Sequence, residues 1–275
     1  ALSLDLILGY TGIATLGHAA FFGIGAYTAG ILNVHGWQEP LSGLAAAAVV
    51  ASLFGAVSGV IVLRARHVTL MMLTVIIAVM LYEAANKMVS VTGGADGLQG
   101  MEMGPLLGRF EFDLESHTGY LYSLAVLFLA VMAVRMIVRS SFGQSLIGIR
   151  ENEARMRAIG APVFRRRLVA YTIAAALAGI AGALLAETTQ FVSLDVLSFE
   201  RSGMILIMLV LGGAGRLYGA FLGVPVFMIA QDEFARSDPV YWNFWVGVGM
   251  ILVVLVARGG ILGLATRLVQ RRRLP

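Results

Sequence analysis

Long apolar runs separated by short polar turns dominate the chain. Five of these runs cover 41–63, 68–89, 119–138, 168–186 and 240–257. Each is close to the ~20 residues that an α-helix needs to cross the hydrocarbon core of a bilayer. The pattern therefore predicts an all-α, polytopic helical membrane protein.

Two further stretches are interrupted by glycine. The apolar run over 2–32 is too long for one straight span and contains Gly9, Gly12 and Gly17, so we expect a broken or re-entrant helix there. A second break is expected at the motif LGGAGRL, between a short apolar run and the next segment. These stretches bring the predicted total to about eight membrane segments. The interval 232–239 is expected to be an acidic turn.

Glycine spacing predicts close helix packing after the second break. Gly215, Gly219 and Gly223 recur every four residues, and we expect them to share one face of the segment that follows. Small residues at this spacing let two helix backbones approach closely in a membrane. A neighbouring helix should therefore pack against this face.

Composition indicates a membrane protein independently of the pattern. Hydrophobic residues make up 59% and charged residues 13% of the chain, whereas soluble domains carry about 25% charged residues. The chain has no Cys, which excludes a disulfide framework and a thiolate metal site. Because the sequence starts at Ala1 inside an apolar run, without Met or a basic leader region, we expect the natural chain to begin further upstream.

Positive charges fall almost entirely on one predicted side of the membrane. If successive segments cross the membrane in alternating directions, 16 of the 20 Lys and Arg lie on that side. The exceptions are Lys87, Arg109, Arg201 and Arg236. The positive-inside rule makes it cytoplasmic. The loop 139–167 is then cytoplasmic, and the acidic loop 90–118 is extracytoplasmic. The cations lie at span ends and not in a stripe interleaved with aromatic residues. The net charge therefore gives no reason to expect nucleic-acid binding.

The charged loop 139–167 contains a predicted helix of its own. Its middle, RENEARMRAIGAP, combines charged helix formers with a following glycine and proline, which predicts a short amphipathic helix from Arg150 to Ile159. Gly160 would end this helix in a left-handed conformation. Ile149, Met156 and Ile159 would form an apolar strip along it.

This loop, together with the motifs GHAAFFGIGAYTAG and TGGADGL, resembles the permease subunits of branched-chain amino acid ABC importers over nearly the whole chain. In that family the segment matching RENEARMRAIG is a cytoplasmic coupling helix, which docks in a groove of an ATP-hydrolysing subunit. The matching positions are Glu153, Ala154 and Gly160, while Arg155 replaces the second alanine of the importer motif. We therefore assign ATPase coupling to Arg150, Glu151, Glu153, Ala154, Met156, Arg157, Ile159 and Gly160. The alternative is a solvated connector whose charges only fix topology.

The sequence contains no constellation for catalysis. A Walker A loop needs the motif GK[ST], and Lys87, the single Lys, follows Asn86. The four His lie in different segments without the spacing of paired metal ligands. We therefore expect no catalytic residue, no metal and no cofactor in this chain. ATP and Mg would be bound by partner ATPase subunits.

Residues at the first helix break are candidates for a solute pathway. Broken helices at membrane depth are tolerated where they line a cavity or are buried in protein. The alternative is that these residues make helix-packing contacts, with His18 bonded to a neighbouring carbonyl group. The candidates are Thr11, Thr15, His18, Phe21, Phe22 and Gly23. The glycine-rich motif TGGADGL, over 92–98, is expected to form a tight turn.

One functional hypothesis follows, with alternatives. We expect residues 1–275 to form a single transmembrane permease domain of an ATP-driven importer in the bacterial inner membrane. Its solutes would be small and amphipathic, above all branched-chain or other hydrophobic amino acids. The resemblance implies a second related permease, two cytoplasmic ATPase subunits and an extracytoplasmic solute-binding protein. The alternatives are import of urea or aromatic acids by the same machinery, and an autonomous secondary transporter or channel. A secondary transporter is disfavoured because no buried run of Asp, Glu or Arg lies along the spans to carry protons or couple ions.

Overall fold

The computed structural model describes residues 1–65, 67–102, 104, 117–237, 241, 244, 247, 248 and 260. Its helices, in chain order, are α1 Leu2–Thr11, α2 Ala19–Val34, α3 Pro40–Val62, α4 His67–Lys87, α5 Val89–Thr92, α6 His117–Arg139, α7 Ser141–Glu151, α8 Glu153–Ala158, α9 Val163–Thr189, α10 Phe199–Gly212 and α11 Gly219–Ser237. The structure describes four positions of the predicted last span, 240–257, and one position of the basic tail, 258–275. The rest of both lies outside the described residues.

The long helices confirm the predicted fold class. Helices α3, α4, α6 and α9 are each long and apolar enough to cross a membrane, and they coincide with four of the five uninterrupted apolar runs. Helices α1 and α2 are apolar but shorter. The total of about eight segments stays a prediction.

Helix α9 forms the centre of the described bundle, with α2 and α3 packed against it. The contacts are close because small residues line them. A Cβ on Gly25 would collide with the backbone of Gly179, and a Cβ on Gly182 would collide with the backbone of Phe22. A Cβ on Gly55 would likewise meet the side chain of Ala175. Backbone contact of this kind is the packing mode that membrane helices favour, since lipid gives no hydrophobic drive for helix association.

The first apolar stretch is broken, as predicted. Helix α1 ends at Thr11, Gly12 has a left-handed φ of +73°, and α2 starts at Ala19. The last seven residues of α1, Asp5–Thr11, wind as a π-helix, a form that occurs mostly as short interruptions at functional sites. The intervening loop turns two side chains into the protein, because Ile13 and Thr15 are at most 5% exposed, whereas Gly12 is exposed.

The second break corrects two expectations. Helix α10 ends at Gly212 and α11 starts at Gly219, so Gly215 lies in the connecting loop and does not share a helix face with Gly219 and Gly223. Those two glycines do pack closely, and the neighbouring helix is α10. The expected acidic turn over 232–239 is helical as far as Ser237, because α11 continues and its Asp232 and Arg236 form an i,i+4 ion pair of 2.7 Å.

The motif over 92–98 forms the expected tight turn. Gly93, Gly94 and Gly97 all have positive φ angles, between +58° and +76°. An antiparallel bridge then joins Leu98 to Val192, with distances of 2.8 and 3.2 Å between the backbone nitrogen and oxygen atoms. The bridge ties this loop to the segment that follows α9.

Candidate functional site

The segment between α6 and α9 forms two helices where one was predicted. Helix α7 ends at Glu151, and Asn152 adopts an extended conformation with φ −154° and ψ 96°. The Oδ1 atom of Asn152 accepts a hydrogen bond of 2.9 Å from the N–H of Arg155 and caps α8. The predicted helix from Arg150 to Ile159 is therefore wrong, because the Asn side chain competes for a backbone N–H and starts a new helix. We call α7, Asn152 and α8 the elbow.

The end of α8 matches the prediction. Gly160 is left-handed with a φ of +80°, and a Cβ placed on it would meet no atom within 4 Å. Its role is therefore conformational and does not come from close packing. No residue of α8 is buried, and the side chain of Ile159 is 71% exposed. The elbow thus presents a charged helix and one exposed aliphatic residue at its tip.

A salt bridge attaches the elbow to α9. The carboxylate of Glu153 pairs with Arg157 on the same helix and, at 2.9 Å, with Arg167 at the start of α9. An i,i+4 pair of this kind stabilises an exposed helix by about 0.2–0.5 kcal/mol. The second pair has the larger structural consequence, because it fixes α8 to a spanning helix.

The predicted apolar strip is divided between two surroundings. Ile149 belongs to α7 and is 1% exposed, in the protein core. Met156 folds back over α7, where a Cβ on Gly148 would lie 2.9 Å from its sulfur atom. Ile159 alone faces outward. The strip therefore does not form a continuous docking face, and the split at Asn152 is the reason.

Arg150, in the last turn of α7, contacts both helix breaks. Its Nη1 atom donates a hydrogen bond to the carbonyl oxygen of Gly9 in α1. Its aliphatic stem covers Gly12, where a Cβ would lie 3.1 Å from the Arg150 Cγ atom. A Cβ on Gly215 would lie 2.8 Å from Nη1 and 3.0 Å from the Gly9 oxygen. On the other side, Asp5 Oδ1 accepts a hydrogen bond of 2.6 Å from the Gly215 N–H. We call Asp5, Gly9, Arg150 and Gly215 the joint.

A second group of polar contacts surrounds the start of α2. The hydroxyl of Ser3 and the Nε2 atom of His18 are hydrogen-bonded at 2.8 Å, and the Ser202 hydroxyl accepts from the N–H of Ala19 at 2.9 Å. The alternative that His18 bonds a carbonyl group is therefore wrong, since its partner is the Ser3 hydroxyl group. Among the described residues, His18 Nδ1 and Thr15 Oγ1 have no hydrogen-bond partner, and both side chains are at most 2% exposed.

The other predicted pathway residues are packed into the same region. Phe21 makes edge-to-face contacts with His18 and Tyr171, at centroid distances of 5.8 and 5.3 Å. Thr11 donates its hydroxyl to the carbonyl of Ile7, four residues earlier. The side chain of Phe22 is half-buried, and Gly23 lies against Leu197. The six candidates thus surround one helix break, in a tightly packed arrangement. Their role in solute passage stays a prediction.

Two buried carboxylates were missed from the sequence. Asp5 and Glu187 are each 1% exposed. Glu187 accepts a hydrogen bond of 2.9 Å from the Tyr122 hydroxyl, which joins α9 to α6, and its second oxygen has no partner among the described residues. A lone acid inside an apolar run was the available signal, because such residues are rare and usually functional in membranes.

An apolar groove lies beside the helix break. It has a volume of about 350 Å³ and is lined mostly by aliphatic side chains of α1, α6, α9 and α11. Among the described residues that line it, Ser3 alone has a polar side chain. Because Ser3 also bonds His18, the groove adjoins the polar group at the start of α2.

Comparison with known proteins identifies a family. Residues 1–255 match the model described as "Branched-chain amino acid transport system / permease component". The high-affinity branched-chain amino acid transport system permease protein LivM is 29% identical in Salmonella typhimurium and 28% in Escherichia coli K12, each over 288 residues. These alignments cover 95% of this chain but only 66% of the LivM proteins.

A further relative has a different named substrate. The autoinducer 2 import system permease protein LsrC of Enterobacter sp. is 32% identical over 152 residues, which cover 52% of this chain and 44% of the relative. No solved structure matches the chain.

Proposed function

The chain belongs to the family of branched-chain amino acid transport system permease components, and we propose that it is a transmembrane subunit of an ATP-driven importer. In this proposal it has no catalytic activity of its own. It pairs with a second related permease, two cytoplasmic ATPase subunits and an extracytoplasmic solute-binding protein, in the bacterial inner membrane. The solutes are branched-chain or other hydrophobic amino acids.

The elbow is the observation that carries this proposal. A helix with no buried residue, tied to a spanning helix through Glu153 and Arg167, projects from the side that the positive-inside rule makes cytoplasmic. Beside its charges lies Ile159, 71% exposed. An aliphatic side chain at the end of a charged helix suits the groove of a soluble protein better than lipid, because the charges would have to leave water to follow it into a bilayer.

The absence of a nucleotide-binding motif from the sequence gives the elbow its role. Because the single Lys follows Asn86, the chain has no Walker A loop to hold phosphates. Energy from ATP must then enter through contact with another subunit. The coupling residues on α8 and at its end, Glu153, Ala154, Met156, Arg157, Ile159 and Gly160, form that contact in our proposal. Arg150 and Glu151 belong to α7 and act on the other side of the bend.

The solute class rests on the family and on the apolar groove. The LivM relatives are named for branched-chain amino acids, and LsrC is named for autoinducer 2. A groove lined mostly by aliphatic side chains, adjoining the polar group around Ser3 and His18, suits a solute with one apolar and one polar end. We therefore favour hydrophobic amino acids.

Uptake of labelled L-leucine into proteoliposomes tests the function. The chain would be co-expressed with the subunits encoded beside it and reconstituted with the binding protein outside and ATP inside. We expect uptake that depends on enclosed ATP and persists when ion gradients are collapsed. The buried carboxylates Asp5 and Glu187 favour the competing secondary transporter, because such groups can carry protons. Uptake driven by an ion gradient without ATP would support that alternative and contradict the proposal.

Cross-linking tests the contact itself. Since the chain has no Cys, Ile159→Cys can carry a single photoreactive maleimide. We expect it to capture the ATPase subunit in the assembled complex. Trp37→Cys is the control, because Trp37 is 59% exposed on the predicted opposite side. Capture of the ATPase from Trp37→Cys, or from neither position, would contradict the assignment of the elbow.

A further inference from the structure

The joint connects three parts of the chain that are far apart in sequence. Gly9 lies near the end of α1, before the first break, Gly215 lies in the second break, and Arg150 lies on the elbow. Arg150 is 141 residues from Gly9, and Asp5 is 210 residues from Gly215, in the hydrogen bonds that join them. A displacement of the elbow therefore acts directly on both breaks, through one side chain.

The joint leaves no room between the two breaks. A Cβ on Gly9 would collide with Asp5 Oδ1 and with the Gly215 nitrogen, and it would lie 2.7 Å from the Gly215 Cα atom. Backbones this close exclude water and any solute. The closed arrangement therefore needs glycine at position 9, where one added methyl group would force the two backbones apart.

The joint lies between the elbow and the buried polar residues. Ser3, which bonds His18, is six residues before Gly9 on the same helix, α1. Thr15 follows the break, and the neighbouring N–H of Leu16 bonds the Thr74 hydroxyl in the interior of α4 at 3.3 Å. The contact of Arg150 with Gly9 therefore lies on the elbow side of the polar group around Ser3 and His18.

The contacts of the joint are suited to reversible opening. Arg150 is exposed as a residue although its Nη1 atom reaches Gly9, so its guanidinium group can return to water when it releases the carbonyl. Asp5 Oδ2 is buried without a hydrogen-bond partner among the described residues. An unsatisfied buried acceptor destabilises the closed arrangement, and opening would let water reach it.

We propose that the joint of Asp5, Gly9, Arg150 and Gly215 is the cytoplasmic gate of the solute pathway, and that Arg150 is the positioning residue through which the elbow opens it. The proposal rests on the proposed import function for its direction and energy source. The gate itself is defined by the contacts alone. When a docked ATPase pulls the elbow, Arg150 leaves the Gly9 carbonyl, and Gly9 and Gly215 separate.

Cysteine labelling behind the joint tests the gate without knowledge of the solute. Thr15→Cys would be the single Cys of this chain in the assembled complex, in inside-out membrane vesicles treated with a membrane-impermeant maleimide. Thr15 is 2% exposed, so labelling at rest should be slow. Adding Arg150→Gln should raise the rate at least tenfold, equivalent to ~1.4 kcal/mol. The control is Arg64→Gln, which removes an exposed cation at the end of α3 and should leave the rate unchanged.

A second pair of variants tests the gate independently, in case Arg150→Gln does not fold. Gly215→Ala wedges the joint, because its Cβ would lie 2.8 Å from Arg150 Nη1. Gly36→Ala imposes a similar left-handed strain, at φ +90° against +81°, but meets no atom within 4 Å. We expect faster labelling in Gly215→Ala only. Equal labelling within either pair of assembled variants would overturn the gate.

The same assay separates the gate from the import function. ATP with Mg should accelerate labelling of Thr15→Cys in the complex that keeps Arg150, because hydrolysis moves the elbow. If ATP has no effect while Arg150→Gln still labels faster, the gate stands and the ATP-driven function fails. If ATP accelerates labelling but Arg150→Gln does not, Arg150 is not the link and the gate proposal fails.

Discussion

Replacing one glycine in each of α10 and α11 gives a matched test of the packing between them. Gly223 is the fifth residue of α11 and Gly203 is the fifth residue of α10. A Cβ on Gly223 would collide with the Met208 carbonyl oxygen and would lie 2.7 Å from the nitrogen and 2.9 Å from the Cα of Gly212. A Cβ on Gly203 would meet no atom within 4 Å. The two positions therefore differ mainly in what surrounds them.

The expected difference in stability follows from these contacts. In both helices Ala in place of Gly should gain about 0.5–1 kcal/mol of helix stability, because the unfolded chain loses freedom. At Gly223 the helices must also part by about 1 Å to restore normal contact distances. Overpacking of this kind costs about 1–3 kcal/mol. We expect Gly203→Ala to be neutral or stabilising, and Gly223→Ala to be less stable than Gly203→Ala by about 1–3 kcal/mol.

Reversible unfolding in mixed detergent micelles, followed by fluorescence, measures the difference. Gly223→Leu would extend the series and should prevent assembly, because a longer side chain cannot be accommodated against Gly212. Equal stability of Gly223→Ala and Gly203→Ala would refute the packing of α11 on α10. It would also remove the physical reason for glycine at that position.

Three further changes test other contacts. Tyr122→Phe should lower the free energy of unfolding by about 1–3 kcal/mol, since it leaves both Glu187 oxygens unsatisfied. The control Tyr120→Phe should not lower it, because Tyr120 is 66% exposed. Equal losses in the two variants would contradict the hydrogen bond between Tyr122 and Glu187. Ser202→Ala should cost about 1–3 kcal/mol by leaving the Ala19 N–H unpaired, as measured by the same unfolding assay. In intact cells an impermeant maleimide should label Gln38→Cys but not Arg157→Cys, and the reverse would overturn the topology.

The spans could be predicted because their signal is local. Four uninterrupted apolar runs became α3, α4, α6 and α9, since a run of ~20 apolar residues has few alternatives to a membrane helix. The first helix break was predictable for a similar reason, because a long apolar run that contains Gly12 cannot be one straight span.

The elbow and the joint could not be predicted in the same way. Charged helix formers lie on both sides of Asn152, so helix propensity alone favoured one helix, and only the capping tendency of Asn pointed to two. The bonds from Arg150 to Gly9 and from Gly215 to Asp5 join residues 141 and 210 positions apart. No local pattern encodes such pairs. The glycine spacing misled at Gly215 because a periodic pattern does not say where the helix begins.

The coupling of the elbow to ATP hydrolysis is tested most directly at Gly160. Its φ of +80° and the open space around it mean that a substitution there acts through conformation alone. Asn tolerates the left-handed region, whereas β-branched Val does not. We would measure ATP hydrolysis by the reconstituted complex with and without solute-loaded binding protein. We predict that Gly160→Asn keeps stimulated hydrolysis and that Gly160→Val reaches the membrane but loses it. Equal stimulation in the two variants would contradict the claim that this elbow transmits the energy of ATP.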